Sequence, residues 1–483
     1  MKRLKWLITA VIVTAGVLVC NSALDNDSWY VLTEGREIVE NGLYYQDQLS
    51  MHEGLDVTVQ NYGFAVIFYL LYSVLGPVGV YIGMLILNLV LCYLIYKICM
   101  LISDKKVNLS LIITILTDLL LARHFITTRA QLLSYILLML LIYLLELYIK
   151  TGKTKSLWWI PVISLAQINL HGSMWPMLII VTATYMIGKG YKKKPLVMAL
   201  VGLVLVGFLN PYGIKMMTYI FTSFGVPEAN IFITEMMPYR PLGDGYSMVL
   251  YGVIVGVLIA YILGKRKRVR ARWLILMFGF LALGINNCKG LSYLVLVMLF
   301  PLAAVYKDIP IEKWGSRKIR WMVASWAGVL ALVSVVTVAV IRIPNVIDGP
   351  NENMIKTMDK IDEDVGDKNK DEIKIYVNYD MGGFVEYRGY KAYIDPRMEV
   401  FIKSNNHKED IFQEYYYFTN SYRNDLSEKE FLEKYDFDYL LVAEDERLYD
   451  VETDGYTMLY EKDDENEEEG MEKGTGIRVW KKV

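Results

Sequence analysis

The first 342 positions alternate between long apolar runs and short polar punctuation, and the last 141 do not. A helix needs roughly 20 residues to cross the hydrocarbon core, fewer where the bilayer thins. On that measure the runs predict about eleven spans, at 5–20, 78–102, 108–122, 130–149, 157–170, 174–189, 195–209, 246–264, 272–286, 290–306 and 321–342. Clusters of Lys and Arg between them set the orientation. "MKRLK", "DKK" at 104–106, "KTGKTK" at 150–155, "KGYKKK" at 189–194, "KRKRVRAR" at 265–272 and the loop 307–320 fall on one side, the cytoplasm, if the spans alternate. One further run, "NYGFAVIFYLLYSVLG" at 61–76, breaks that parity if it crosses. It is therefore expected to lie in the outer interface as an amphipathic helix, with Gly76-Pro77 turning the chain into the membrane.

From about 350 the periodicity changes. "NMIKTMDKIDED" reads as a helix with Met354, Ile355, Met358 and Ile361 on one face. "IKIYVNYD" and "YKAYID" read as strands about a "GG" turn, with Gly382 or Gly383 free to take positive φ. "HKEDIFQEYYYFTN" and "SEKEFLEKY" are helical, and "DYLLVAED", "YTMLYEKD" and "GIRVWKK" are further strands. Helices alternating with strands predict a compact α/β domain of roughly 130 residues. The acidic run "KDDENEEEGMEKG" is expected to be a disordered loop. No GxGxxG, P-loop or GxSxG occurs in this part.

Composition supports the membrane assignment. The chain is 54% hydrophobic and its mean hydropathy is +0.31, too apolar for a soluble protein of this length. The net charge of −2 conceals an uneven division. Residues 343–483 carry 36 acids and 19 bases, and residues 1–342 carry 16 acids and 31 bases. Basic residues between spans are orientation signals, so no nucleic-acid partner is read from them. Cys20, Cys92, Cys99 and Cys288 lie in or beside apolar segments and form no CxxC pair, so neither a disulfide framework nor a cysteine metal motif is expected. No small-residue cleavage site follows the first run, which reads as an uncleaved span.

The candidate chemistry sits on the outer side of this topology. Asp25 and Asp27 stand one residue apart just past the first span, and Asp47 follows in the same loop. A carboxylate above the headgroups can act as general base on an acceptor hydroxyl or amine. Asp27 also suits the N-cap of the helix "SWYVLTEGREIVEN". Arg123, Arg129, His171, Glu235 and Lys289 all fall at outer span ends, where charged groups tend to mark pathways or sites. The cations among them can hold a leaving phosphate. In the tail, "YIDPR" places Asp395 and Arg397 at a strand end, either as an acceptor-binding rim or as a salt bridge that fixes a loop.

The order of these features resembles the GT-C superfamily of membrane glycosyltransferases, which includes the protein O-mannosyltransferases and the lipid A aminoarabinose transferases. "DNDSWYVLTEGREIVENGLYYQD" resembles their acidic external loop, and "NYGFAVIFYLLYSVLGPVGVYIGMLILNLV" their interfacial helix ending in Gly. "RAQLLSYIL", "INLHGSMW", "NPYG", "ITEMMP", "NYDMGGFVEYRGYKAYIDPRMEVF" and "YDFDYLLV" are similar to a group of bacterial polytopic proteins placed in that superfamily. Lys289 stands where arginine is common in that group, and the Pro-Pro-Leu often found at the start of the interfacial helix is absent.

The resemblance implies a GT-C-like transmembrane domain over 1–342, including an external loop with interfacial helices at 21–77, and an extracytoplasmic α/β domain over 343–483. It implies a plasma-membrane enzyme that transfers a sugar, with inversion, from a polyprenyl-phosphate donor to an envelope acceptor. Asp27 is the first choice of base and Asp25 the second, with Arg123, Arg129, His171, Glu235, Lys289 and Asp47 binding substrate. Some relatives use a divalent cation, which two carboxylates alone do not specify. Two other functions fit the same sequence: a transporter of lipid-linked glycans, which calls for polar residues deep in the spans, and a non-catalytic envelope-assembly protein.

Overall fold

A computed structural model describes residues 2–20, 24, 26–122, 124–223, 227–240, 249–250, 253, 269–307, 329, 332–343, 352–420, 426–450, 455–462 and 476–483. The chain forms two compact units, one made of residues 1–22 and 78–346, the other of residues 23–77 and 347–483. Neither is a single stretch of sequence.

The first unit is helical. It contains α1 (Lys2–Val19), the second part of α3 (Tyr62–Ile102), α4 (Val107–Ala122), α5 (Gln131–Thr151), α6 (Ile160–Leu170), α7 (Trp175–Thr184), α8 (Lys194–Gly207), α9 (Ile214–Ser223), α10 (Ala271–Asn286) and α11 (Leu291–Tyr306). Among the described residues, three helical stretches are long and apolar enough to cross a membrane: Tyr62–Ile102, Gln131–Thr151 and Cys288–Tyr306. Five shorter apolar helices accompany them. The expected span at 246–264 lies mostly outside the described residues; of 321–342, positions 329 and 332–342 are described and helical, ending in a π-helical turn at Thr337–Arg342. Large apolar side chains stand on the exterior, among them Leu116, Leu119, Leu205 and Phe278. Such a surface is compatible with a lipid surround and costly in water.

Inside the unit, Glu146 of α5 joins several elements. Its carboxylate accepts from Arg272 (2.8 and 3.0 Å), from Trp273 Nε1 (2.7 Å) and from the Tyr185 hydroxyl (2.9 Å). A buried charge pair is tolerated when its remaining polar atoms are satisfied in this way.

α3 is interrupted at Gly76, whose backbone (φ 61°, ψ −159°) is not helical. Positive φ there suits glycine, and Pro77 lacks the N–H that would carry the ladder through the break. The division between the two units falls immediately after it.

The second unit is built on a five-stranded mixed sheet: β1 (Lys374–Tyr376), β2 (Lys391–Ala392), β3 (Tyr439–Ala443), β4 (Tyr456–Lys462) and β5 (Ile477–Lys482), in the order β2-β1-β3-β5-β4. β1 runs parallel to β2 and β3, while β5 is antiparallel to β3 and β4. The expected "GG" turn is instead a short helix, α13 (Gly382–Tyr387), which supplies the crossover that parallel strands need. Neither Gly382 nor Gly383 has positive φ. They are needed for closeness: a Cβ on Gly382 would lie 1.8 Å from the Ile394 carbonyl oxygen, and one on Gly383 would lie 2.9 Å from the Tyr30 amide nitrogen.

Tyr30 belongs to α2 (Asn26–Asn41), so the segment before α3 is part of this unit's core. Trp29 is fully buried against Phe384 and Tyr387. Arg36 donates to the Tyr387 carbonyl at 3.0 Å. The following loop adds to the sheet edge, where Ser50 pairs with Ala392 and Met51 N donates to the Ala392 carbonyl at 3.0 Å.

The remaining helices are α12 (Glu352–Val365), α14 (Ile411–Asn420) and α15 (Glu428–Tyr435). α12 buries Met354, Thr357, Met358, Ile361 and Val365. Ile355, expected on that face, is only half-buried, and Thr357 fills the row. α15 begins with a capping box between Ser427 and Glu430. The acidic run 462–474 lies almost wholly outside the described residues.

Candidate functional site

The first unit has a polar cleft. Its walls come from the α4–α5 loop, the start of α5, the loop 227–240 and the one-turn 3₁₀ helix Cys288–Gly290. Local hydrogen bonds fix each piece. The Asn287 side chain accepts from Lys289 N at 3.1 Å and starts the 3₁₀ turn, an Asx turn. Lys289 N also meets the Glu235 carbonyl at 3.0 Å, Cys288 N the Met237 carbonyl at 3.1 Å, and Tyr239 N the Ile285 carbonyl at 2.9 Å. The backbone around Glu235 is thereby tied to the turn that carries Lys289.

At the cleft, Arg129 Nη1 donates to both oxygens of Glu235, at 2.8 and 2.9 Å. Lys289 Nζ stands 3.3 Å from Glu235 Oε2. His124, Phe125, Thr127 and Gln131 complete the lining. All three charged side chains are half-buried, between 23% and 32% exposed. Burial alone raises the Glu235 carboxyl, but Lys289 and Arg129 outweigh it and hold the group below its usual range. It is therefore an ionised counter-ion and a weak base. Among the described residues two cations face one acid here, an excess of positive charge that suits an anion.

His171 is not in the cleft lining. It is buried, with Nδ1 2.7 Å from Ser134 Oγ, and Gln167 Nε2 donates to both Ser134 Oγ (2.9 Å) and the His171 carbonyl (2.7 Å). Burial, helped by nearby Lys289, pushes its imidazole down to about 3, so the ring is neutral. These hydrogen bonds join α5 to the end of α6. Arg123 and Asp25 lie outside the described residues.

The second unit holds the remaining candidates. Asp27 is half-buried in the first turn of α2, one residue inside the helix rather than at its N-cap, where an acid still meets the positive end of the helix dipole. It lies within electrostatic reach of Tyr379 in "NYDMGG", whose phenol burial pushes upward, with Asp27, Glu399, Asp395 and Asp380 adding to the shift. Tyr379 donates its hydroxyl to the Pro396 carbonyl at 2.8 Å.

Asp47 has a different setting. It is buried and accepts from Arg397 Nη1 (2.8 Å), Ser50 Oγ (2.6 Å) and Ser50 N (2.9 Å). Arg397, 1% exposed, also binds Asp395 twice through its side chain, at 2.6 and 2.9 Å. Glu386 stands 3.5 Å and Glu34 3.9 Å from the same guanidinium. Burial alone would raise Asp47, yet Arg397 and the Ser50 donors keep it below the usual carboxylate range. Burial pushes Glu34 up to about 8, against the pull of Arg397, and pushes Glu386 up as well. Glu34 and Glu386 were not singled out in the sequence. The available signal was an acid on the buried face of α2, between Thr33 and Gly35.

Among the described residues no three His, Cys, Asp or Glu side chains converge as a metal-ion site. No protein-family model matches the chain, and no curated protein matches it.

Proposed function

We propose that this chain is a polytopic membrane glycosyltransferase of the GT-C kind, with about eleven spans, a cytoplasmic N-terminus and an extracytoplasmic tail. It transfers a sugar from a polyprenyl-phosphate donor to an envelope acceptor at the outer face of the plasma membrane. The observation that carries this is the cleft of Arg129, Lys289, Glu235 and Gln131, half-open and cationic, at the ends of apolar helices that the Lys/Arg pattern places outward. A lipid-borne phosphate meets such a site without leaving the bilayer surface.

In this scheme the acceptor oxygen or nitrogen attacks the anomeric carbon as the bond to the phosphate oxygen breaks, with inversion. The resemblance assigns the acceptor proton to Asp27, which belongs to the second unit. Arg129 and Lys289 stabilise the negative charge on the departing polyprenyl phosphate. Asp47 is engaged by Arg397 and Ser50, and His171 is hydrogen-bonded to Ser134.

The test compares deletion, Asp25→Asn, Asp27→Asn and wild type at matched protein levels, by mass spectrometry of envelope glycans and lipid-linked sugars. Loss of the same sugar in Asp27→Asn as in the deletion supports the proposal. Wild-type glycans in both Asn variants, with a changed profile in the deletion, count against it.

One observation favours the transporter. Asn88 of α3 and Asp118 of α4 are fully buried in the helical unit, and Asp118 faces Asn88 and Cys92. Buried polar groups among apolar helices are what a translocation path requires. If transport is the function, Asp118→Asn abolishes export of lipid-linked glycan while Asp27→Asn does not.

A further inference from the structure

Glu235 fills the place an anion would take. Its two oxygens span Arg129 Nη1 at 2.8 and 2.9 Å, and Oε2 faces Lys289 Nζ at 3.3 Å. A phosphate oxygen pair presents the same two acceptors to a guanidinium. With the carboxylate in place, the cleft has room for about one water molecule, so a phosphate cannot enter beside it. Gln131 is buried at the cleft wall. The backbone of Glu235 is tied to Lys289 N, while its side chain is 26% exposed and able to swing toward solvent.

We infer that Glu235 is a resident carboxylate that a lipid phosphate displaces from Arg129 and Lys289, so that the cleft is closed by the chain's own anion until the donor arrives. This rests on the proposed donor-phosphate site and adds its regulation. A gate of this kind rejects neutral lipids and weakly bound anions, because only a ligand that replaces both cation contacts opens it. The backbone stays, so opening needs a side-chain rotation and no refolding of the loop.

The experiment uses the purified full chain in detergent and measures binding of a polyprenyl phosphate and of the matching uncharged polyprenol by native mass spectrometry. Wild type, Glu235→Gln, Glu235→Ala, Arg129→Lys and Arg129→Ala are compared after their melting curves have been matched. Removal of the competing carboxylate tightens phosphate binding in both Glu235 variants by roughly threefold to tenfold, on the scale of a part-exposed ion pair. The gain persists at high salt, where long-range charge effects are screened. Arg129→Ala loses the preference for phosphate over polyprenol, and Arg129→Lys retains part of it. If the Glu235 variants weaken binding as Arg129→Ala does, or leave it unchanged, Glu235 only orients Arg129 and the gate is overturned, while the phosphate site stands. If neither wild type nor the Glu235 variants distinguish the phosphate from the polyprenol, the phosphate site and the gate fall together.

Discussion

Arg397 and Arg129 both meet carboxylates, and the two clusters differ in everything else. Arg397 is buried among four acids, Asp395, Asp47, Glu386 and Glu34, drawn from segments as much as 363 residues apart in the case of Glu34. Arg129 is half-exposed and, among the described residues, shares the Glu235 carboxylate with a second cation, Lys289. The first cluster has an excess of acid and no open side. Burial there pushes the Glu34 carboxyl up to about 8 and raises Glu386 as well. The second has an excess of base and an opening. A closed set of charges in low dielectric serves to fix one arrangement, and taking away one member leaves the others unpaired. An open set with unbalanced charge leaves something for a ligand to complete.

The largest effect expected from breaking this contrast is at Arg397. Arg397→Ala strands Asp47 and Asp395 without their counter-ion and should cost about 3–5 kcal/mol, read as loss of the folded second unit by hydrogen exchange over residues 26–61 and 374–395. Arg129→Ala should leave that exchange unchanged, and equal damage from both would erase the distinction. Next comes Gly383→Val. Its side chain meets the Tyr30 backbone within van der Waals contact, so α2 must move, at about 1–3 kcal/mol. A thermal shift confined to the second unit checks this.

A smaller and more diagnostic effect is the pH dependence. The folded chain holds a proton on Glu34 up to about pH 8, whereas the unfolded chain releases it near 4.5. Stability from this group is therefore full below pH 4.5 and is lost as pH rises to about 8. Glu386 acts in the same direction, and Asp47, held low, has the opposite dependence at acid pH. Unfolding of the second unit by denaturant should become easier between pH 5 and about pH 8, and Glu34→Gln should flatten much of that slope. A slope unchanged in Glu34→Gln would place the proton elsewhere. The smallest effect on stability is at Glu235: Glu235→Gln should change it by only about 0.2–1 kcal/mol, as for other part-exposed pairs, measured by the midpoint of thermal unfolding.

Local pattern was legible and distant pairing was not. Apolar runs marked the helices of the first unit closely: 108–122 was expected where α4 covers Val107–Ala122, and 290–306 where α11 covers Leu291–Tyr306. The strands of the tail were equally readable, since alternation and β-branched content are local. The "GG" stretch misled because glycine signals both a left-handed turn and close approach, and only the neighbours, Ile394 and Tyr30, decide between them. Asp27 is the second residue of α2 rather than its N-cap because helix ends are the least determined by local sequence. Arg129, Glu235 and Lys289 were each recognisable as charges at span ends. That they meet depends on packing among four segments, which no periodicity encodes. Glu34 was missed for the same reason: its partner is 363 positions away, and an isolated acid in an amphipathic helix reads as surface.

The most direct test of the contrast between a cluster that holds and a cleft that works is one variant, Arg129→Ala, expressed in the native host at wild-type level. Its second unit is probed by hydrogen exchange and its envelope glycans by mass spectrometry. The expected result is an intact second unit together with loss of the same envelope sugar that the deletion loses. Wild-type glycans in a folded Arg129→Ala protein would contradict it.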